Sequence, residues 1–180
     1  LRDIRWQVGQ SGRLTPVADF DTVNLAGANV SKASLHSLDI MDLLCSDAKV
    51  NGLRVGDQIM VARRNDVIPY VEAIITPNPN GALLSTPVEC PECQTPVVRT
   101  GAYVICPNGD TCPAQISGAI KRWLSKIGVL HFGDALVDML CETECVQRIA
   151  DLYDLDPKNV ALMSMGGRMV GGTATKAFNN

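Results

Sequence analysis

Along residues 1–76 apolar and polar positions alternate with a period of two, and beyond Pro113 the period lengthens to that of a helix. In "RDIRWQV", Ile4, Trp6 and Val8 alternate with Arg5 and Gln7, the mark of a half-buried strand. "GQSG" (9–12) supplies a turn and "RLTPVADF" resumes the extended pattern, which predicts a hairpin. Ser31 reads as the N-cap of one helix, because Leu35, Leu38 and Met41 follow at helical spacing. After "NGLRVGD", two further strands, "QIMVARR" and "VIPYVEAII", are separated by the polar turn Asn65-Asp66. About five strands with one inserted helix suit a small barrel of the OB-fold type, whose face and loops bind nucleic acid. An SH3-like barrel fits the pattern almost as well.

"TPNPNGALLSTP" (76–87) concentrates Pro, Asn and Gly and marks a boundary. Beyond the cysteine-rich segment that follows, Pro113 suits a first helical position. Ile116, Ile120, Leu124 and Ile127 form one apolar face, Lys121, Arg122 and Lys126 fall off it, and Gly128 is a stop. A second helix is predicted from Asp134 to about Glu144, with Leu136, Val137, Leu140 and Cys141 inward. The connector "VLHFG" ends in Gly133, and "MSMGG" later places Gly166 and Gly167 between helical segments. Two helix-hairpin-helix units are therefore expected. The predicted organisation is a multidomain α+β chain: a barrel over 1–78, a cysteine unit over 88–114 and an all-α region over 115–180.

Composition narrows the class. The 180 residues are 46% hydrophobic, without an apolar run near the roughly 20 residues of a membrane span. "LRDIRWQV" has neither an initiator Met nor a signal-peptide core, so an internal piece or a processed subunit is expected. Seven cysteines is an odd number, which disfavours a secreted disulfide scaffold and points to a reducing, cytoplasmic setting. The net charge is −3, and residues 134–156 hold seven acids against Arg148 alone. Removing that stretch, at −6, leaves +3 elsewhere, so basic patches remain available for nucleic acid.

Four cysteines fall as two pairs, Cys90/Cys93 and Cys106/Cys112, with twelve residues between the pairs. The C-x2-C pair fits a knuckle that presents two sulfurs to one ion, and "QTPVVRTGAYVI" is long enough for a hairpin that returns the second pair. Four thiolates favour tetrahedral zinc, and a filled shell leaves no place for a catalytic water. The expected role is structural, with metal binding supplying much of the local folding free energy. A redox reading of Cys90-Pro-Glu-Cys93 leaves Cys106 and Cys112 unexplained. Cys141, Cys145 and Cys45 read as core or helix-face residues, and His36 and His131 as structural histidines. No nucleophile elbow, P-loop or dinucleotide fingerprint is present.

Arg63 and Arg64 end a barrel strand beside a tight turn, and strand alternation lets only one of them face a ligand on a given side. The Gly hairpins offer a second kind of contact. Backbone N–H groups at Gly133, Gly166 and Gly167 can bind phosphate oxygens without basic side chains, a contact that reads shape rather than base identity.

The order barrel, four-cysteine unit, helical hairpins resembles the region after the adenylation domain in bacterial-type NAD-dependent DNA ligases. The match is carried by "RDIRWQVGQSGRLTPVA" (2–18), "VSKASLHSLD" (30–39), "RVGDQIMVARRNDVIP" (54–69), "CPEC" (90–93), "CPNGDTCPAQ" (106–115) and "IADLYDL" (149–155). The resemblance implies an enzyme that seals nicks in duplex DNA: a lysine is adenylated by NAD, AMP passes to the 5′-phosphate, and the 3′-hydroxyl displaces it, with Mg2+ assisting. It implies that the OB-fold closes over the nick, that the zinc unit joins it to the hairpins, and that the domains encircle the DNA. Cys90, Cys93, Cys106 and Cys112 fall on the zinc ligands, Arg63 and Arg64 on a basic pair before the "DVIP" turn, and Gly166 and Gly167 on a later hairpin; Lys32 and Gly133 are further candidates for DNA contact, although His131 stands where the first hairpin commonly has Gly. Gln10 stands where the family usually has Arg, so the resemblance implies that one phosphate contact is either lost or moved to Arg13. The K-x-D-G lysine nucleophile and the nicotinamide-recognising domain are absent from this sequence. An adenylation domain, in cis or as a partner subunit, is implied beside nicked DNA.

Overall fold

The computed structural model describes residues 1–25, 27–64, 68–109, 111–129, 132–165 and 168–170. The chain divides into two units, Leu1–Pro107 and Asn108–Asn180.

In the first unit, alternation becomes two faces. Strand β1 (Asp3–Val8) buries Ile4 and exposes Arg5 and Gln7. It pairs antiparallel with β2 (Arg13–Leu25), whose Leu14, Pro16, Ala18 and Phe20 all point inward. The opposite edge of β2 carries β3 (Ala28–Ser34) from Val17 onward. Helix α1 (Leu38–Asp47) then separates β3 from the antiparallel pair β4 (Gln58–Arg64) and β5 (Ile68–Thr76). A parallel bridge, Ser34 to Tyr70, ties that pair back to β3. Five strands with a helix after the third are the arrangement expected of an OB-fold. The hairpin β6 (Val98–Thr100) and β7 (Tyr103–Ile105) extends the same sheet, with β7 pairing to Arg13 and Leu14 of β2.

The loops beside β4 are fixed by one buried carboxylate. Asp57, 2% exposed, accepts from the backbone N–H of Arg54 and of Asn78, each at 2.7 Å. Residues 78–84 are thereby held against 53–57, where Val55 donates to Ala82 and Leu84 to Leu53. Gly81 passes so close that a Cβ would lie 2.0 Å from the Val55 carbonyl oxygen, which excludes any side chain there.

The predicted helix start was displaced. Residues 28–34 are strand, and the N-cap is Ser37, whose Oγ accepts from the Ile40 N–H at 3.5 Å. The β2/β3 ladder shifts register between Asp19 and Val23, and Val30 and Ala33 are both buried although three apart. With Leu35, Leu38 and Met41 they imitate a helical face one turn too early.

The second unit contains α2 (Pro113–Ile127), α3 (Asp134–Glu142), a 3₁₀ turn (Ile149–Asp154), α4 (Pro157–Leu162) and two short paired strands, β8 (Ser164–Met165) and β9 (Arg168–Met169). Pro113 opens α2 and Gly128 closes it in the left-handed region at φ 74°. Ile120, Leu124, Leu136, Val137, Met139 and Leu140 meet in one apolar cluster with Val146, Val160 and Val170, and Cys141 packs at its margin. Ile127, expected inward, is 47% exposed at the last position of α2. Of the two flanks of "MSMGG", the preceding one is helical, α4 ending at Leu162, but the following one is not: Arg168–Met169 pair with Ser164–Met165. Asn65, Asp66, His131, Gly166 and Gly167, on which the predictions of a polar turn and of two helical hairpins rest, lie outside the described residues. Among the described residues no helix is long and apolar enough to cross a membrane.

Candidate metal centre and nucleic-acid surface

Each cysteine pair is presented by its own local structure. In the first, Cys90 donates its N–H to the Thr95 carbonyl and accepts from the Gln94 N–H, both at 2.9 Å. Gln94 adopts φ 58° to close this knuckle, and Cys93 Sγ lies 3.3 Å from Thr95 Oγ1. In the second, Cys106 leaves β7 and donates to the Gly12 carbonyl at 2.8 Å. Cys112 is the N-cap of α2: its carbonyl accepts from Gln115 and Ile116, and its own N–H donates to Asn108. A helix N-terminus favours a thiolate over a thiol at that position.

The four sulfurs all lie within 4.8 Å of one another, with Cys93 and Cys106 at 3.5 Å. A tetrahedron of Zn–S bonds of about 2.3 Å has sulfur–sulfur edges of roughly 3.8 Å, a length that these two distances bracket. Cys90, Cys106 and Cys112 are no more than 2% exposed and Cys93 is half-buried, so the donors are withdrawn from water. The set fits a structural zinc ion by chemistry, number and spacing.

The residues expected to touch DNA lie in several places. Gln10 is exposed in the turn between β1 and β2, and Arg13 is exposed at the start of β2. The Arg13 guanidinium sits 3.8 Å above the centre of the Tyr103 ring. Lys32 is exposed on β3, opposite Asp19 in register. Arg63 pairs with Pro69 and shares the strand face on which Val61 meets the buried Val71. It is half-buried, and its Nε has no hydrogen-bond partner. The side chain of Arg64 is outside the described residues, as are Gly166 and Gly167, while Gly133 is the exposed N-cap of α3.

Two other cations on this unit are already committed. Arg2 and Arg5 donate to Asp21 and Asp19, and these hydrogen bonds raise both arginines above their ordinary range. The bond from Arg2 also lowers Asp21. Among the described residues Arg13, Lys32 and Arg63 form no ion pair, so their charge is available to an external anion. The contact that sequence reasoning missed is Tyr103. Its signal was there: in "YVI" the tyrosine alternates with the inward Val104 and so shares the outward face of Ile105.

Residues 1–82 match the family model of the NAD-dependent DNA ligase OB-fold domain, and residues 89–114 that of the NAD-dependent DNA ligase C4 zinc finger domain. A protein of Sorangium cellulosum named DNA ligase is 41% identical over 175 residues, which cover 97% of this chain and 24% of that protein. One of Natronomonas pharaonis with the same name is 38% identical, over 93% of this chain and 23% of its own length. One of Haloferax volcanii is 36% identical, over 100% and 25% respectively. The chain thus spans about a quarter of the length of the curated relatives it matches.

Proposed function

The chain carries the OB-fold and C4 zinc finger domains of the NAD-dependent DNA ligase family, and from that premise we propose that it is the DNA-binding, nick-encircling part of such an enzyme, which seals single-strand breaks in duplex DNA during replication and repair. The observation that carries this reading is the pairing of the two domains in one order, with a four-sulfur cluster at the cysteines of the second. In this reading residues 1–78 form the barrel, 88–114 the finger and 115–180 the helix-hairpin-helix region.

The division of labour follows from the residues. Adenylation by NAD and the Mg2+-assisted phosphoryl steps belong to an adenylation domain, in cis or as a partner subunit. This chain supplies grip. Arg13, Lys32 and Arg63, with Arg64 and Gln10 beside them, contact phosphates, while the backbone N–H groups at Gly133, Gly166 and Gly167 add contacts that need no cation. The unpaired Nε of Arg63 gains most from an incoming oxygen, because a buried donor without a partner is costly. Zinc holds the finger's two knuckles together and performs no step of the reaction.

The test is equilibrium binding of the zinc-loaded chain to nicked duplex, intact duplex and single strand of one sequence across a salt series. Preference for the nicked duplex is expected, together with ligation when an adenylating fragment is added. Replacing Arg63 by Ala should lower the slope of log affinity against log salt by about one. Equal affinity for all three DNAs and no ligation with the fragment would instead mark an OB-fold and zinc-finger module of another nucleic-acid system.

A further inference from the structure

We propose that Tyr103, on the finger's hairpin, is a positioning residue that holds Arg13 of the barrel ready for a DNA phosphate, so that zinc loading of the finger tunes the barrel's grip. The proposal rests on the DNA-binding reading above and deepens it.

The register makes the contact. Arg13 pairs with Ile105 across β2 and β7, and the next pair, Leu14 and Val104, is buried at 1% and 2%. Arg13 and Ile105 therefore face outward, and so does Tyr103, two residues before Ile105 on the same strand. That is a diagonal neighbour across an antiparallel pair, within reach of a long side chain, and the guanidinium does lie 3.8 Å from the ring centre.

The kind of contact matters as much as its presence. Arg5 spends its N–H donors on Asp19, and Arg99 places its own on Gly101 and near Asp42. Arg13 instead lies over an aromatic ring, 3.8 Å from its centre, and forms no ion pair among the described residues, which leaves its N–H donors open to a bidentate oxygen acceptor. An aromatic clamp fixes the cation without neutralising it.

The clamp is only as firm as its hairpin. Ala102 at the turn accepts from the Leu38 N–H of α1 at 2.9 Å, and Cys106 at the far end donates to Gly12, the residue before Arg13, at 2.8 Å. Cys106 is also a ligand of the proposed zinc centre. Metal binding at Cys106 thus fixes the end of the strand that carries Tyr103, one hydrogen bond away from the start of β2.

The experiment compares the zinc-loaded chain with Tyr103→Leu, Tyr103→Phe, Arg13→Gln and the double variant Arg13→Gln/Tyr103→Leu on nicked duplex across salt. Arg13→Gln should lower the salt slope by about one. Tyr103→Leu should weaken binding about two- to five-fold with unchanged zinc content, and Tyr103→Phe should bind like the parent. The double variant should be no weaker than Arg13→Gln alone. The NMR signal of the Arg13 Nε proton gives an independent reading: a ring-current shift kept in Tyr103→Phe and lost when zinc is chelated is expected. Parent-like binding by Tyr103→Leu or additive losses in the double variant would overturn the positioning role alone, and a ring-current shift that survives chelation would overturn its dependence on zinc. Absence of salt-dependent DNA binding by the unmutated chain would overturn it together with the DNA-binding reading.

Discussion

The unit Leu1–Pro107 and the unit Asn108–Asn180 each depend on an aspartate, and the two aspartates are used in opposite ways. Asp57 is buried and its carboxylate accepts from two backbone N–H groups, so it fixes loops that have no ladder of their own. Asp138 lies on α3 with its side chain 45% exposed, and accepts from Ser117 Oγ at 2.5 Å and from Lys121 Nζ at 2.6 Å, both on α2. In a barrel, irregular backbone must find acceptors inside the fold. Two helices satisfy their own backbone, so a side-chain clasp at their margin adds only to an apolar cluster already formed. The first acid is thus a requirement of its unit and the second an adjustment.

The metal centre is a third device, four cysteine sulfurs within 4.8 Å of one another. Cys106→Ser is expected to have the largest effect, because structural zinc contributes about 10–16 kcal/mol of apparent binding free energy in small zinc domains. Zinc content by atomic emission should fall from one equivalent toward none, and hydrogen-exchange protection of residues 98–105 should fall with it. Full zinc retention would remove Cys106 from the ligand set. Next in size is Asp57→Ala, which strands two backbone donors at about 1–3 kcal/mol each. Urea unfolding followed in the barrel should show a loss of about 2–5 kcal/mol, with the helical unit unchanged. A loss below about 1 kcal/mol would mean that water replaces the carboxylate and that the first unit tolerates exposure better than its burial implies.

How much of this was legible follows the same division. The cysteine spacing and the alternation in β1, β2, β4 and β5 could be read because each obeys one local rule. Ser37 could not be chosen over Ser31, because the register shift in the β2/β3 ladder places Val30 and Ala33 at a spacing that mimics a helix. The inward turn of Arg63 depends on its pairing with Pro69 and on irregularities at Gln58/Ile59 and Met60/Val61, which are properties of two strands together. Tyr103 beneath Arg13 is likewise a fact of register between segments about ninety residues apart. Asp57 finds its first partner, Arg54, three residues away, but its second, Asn78, lies 21 residues away and nothing local announces it.

The smallest effect is the clasp at Asp138, and its sign with pH separates it from mere packing. Burial works against the charged form, but hydrogen bonds from Lys121 and Ser117 and the lysine's charge outweigh it, so the carboxyl is held below its ordinary value. A group with a depressed folded pKa contributes stability that is fully present above its unfolded value, about 3.9 for Asp, and that is lost as pH falls through the folded one. Asp138→Asn should therefore cost the helical unit up to about 1 kcal/mol near neutral pH, since a half-exposed pair is screened by solvent. The cost should begin to shrink as pH falls below about 3.9, vanish only below the lower folded value, where the parent carboxyl is itself protonated, and shrink also in high salt. Ser117→Ala, which removes a neutral donor, should keep more of its penalty in salt than Lys121→Met does. Thermal melts of the three variants at neutral and acid pH measure this directly. A penalty for Asp138→Asn that does not change with pH would make the contact one of shape, and the helical unit would then rest on its apolar cluster alone.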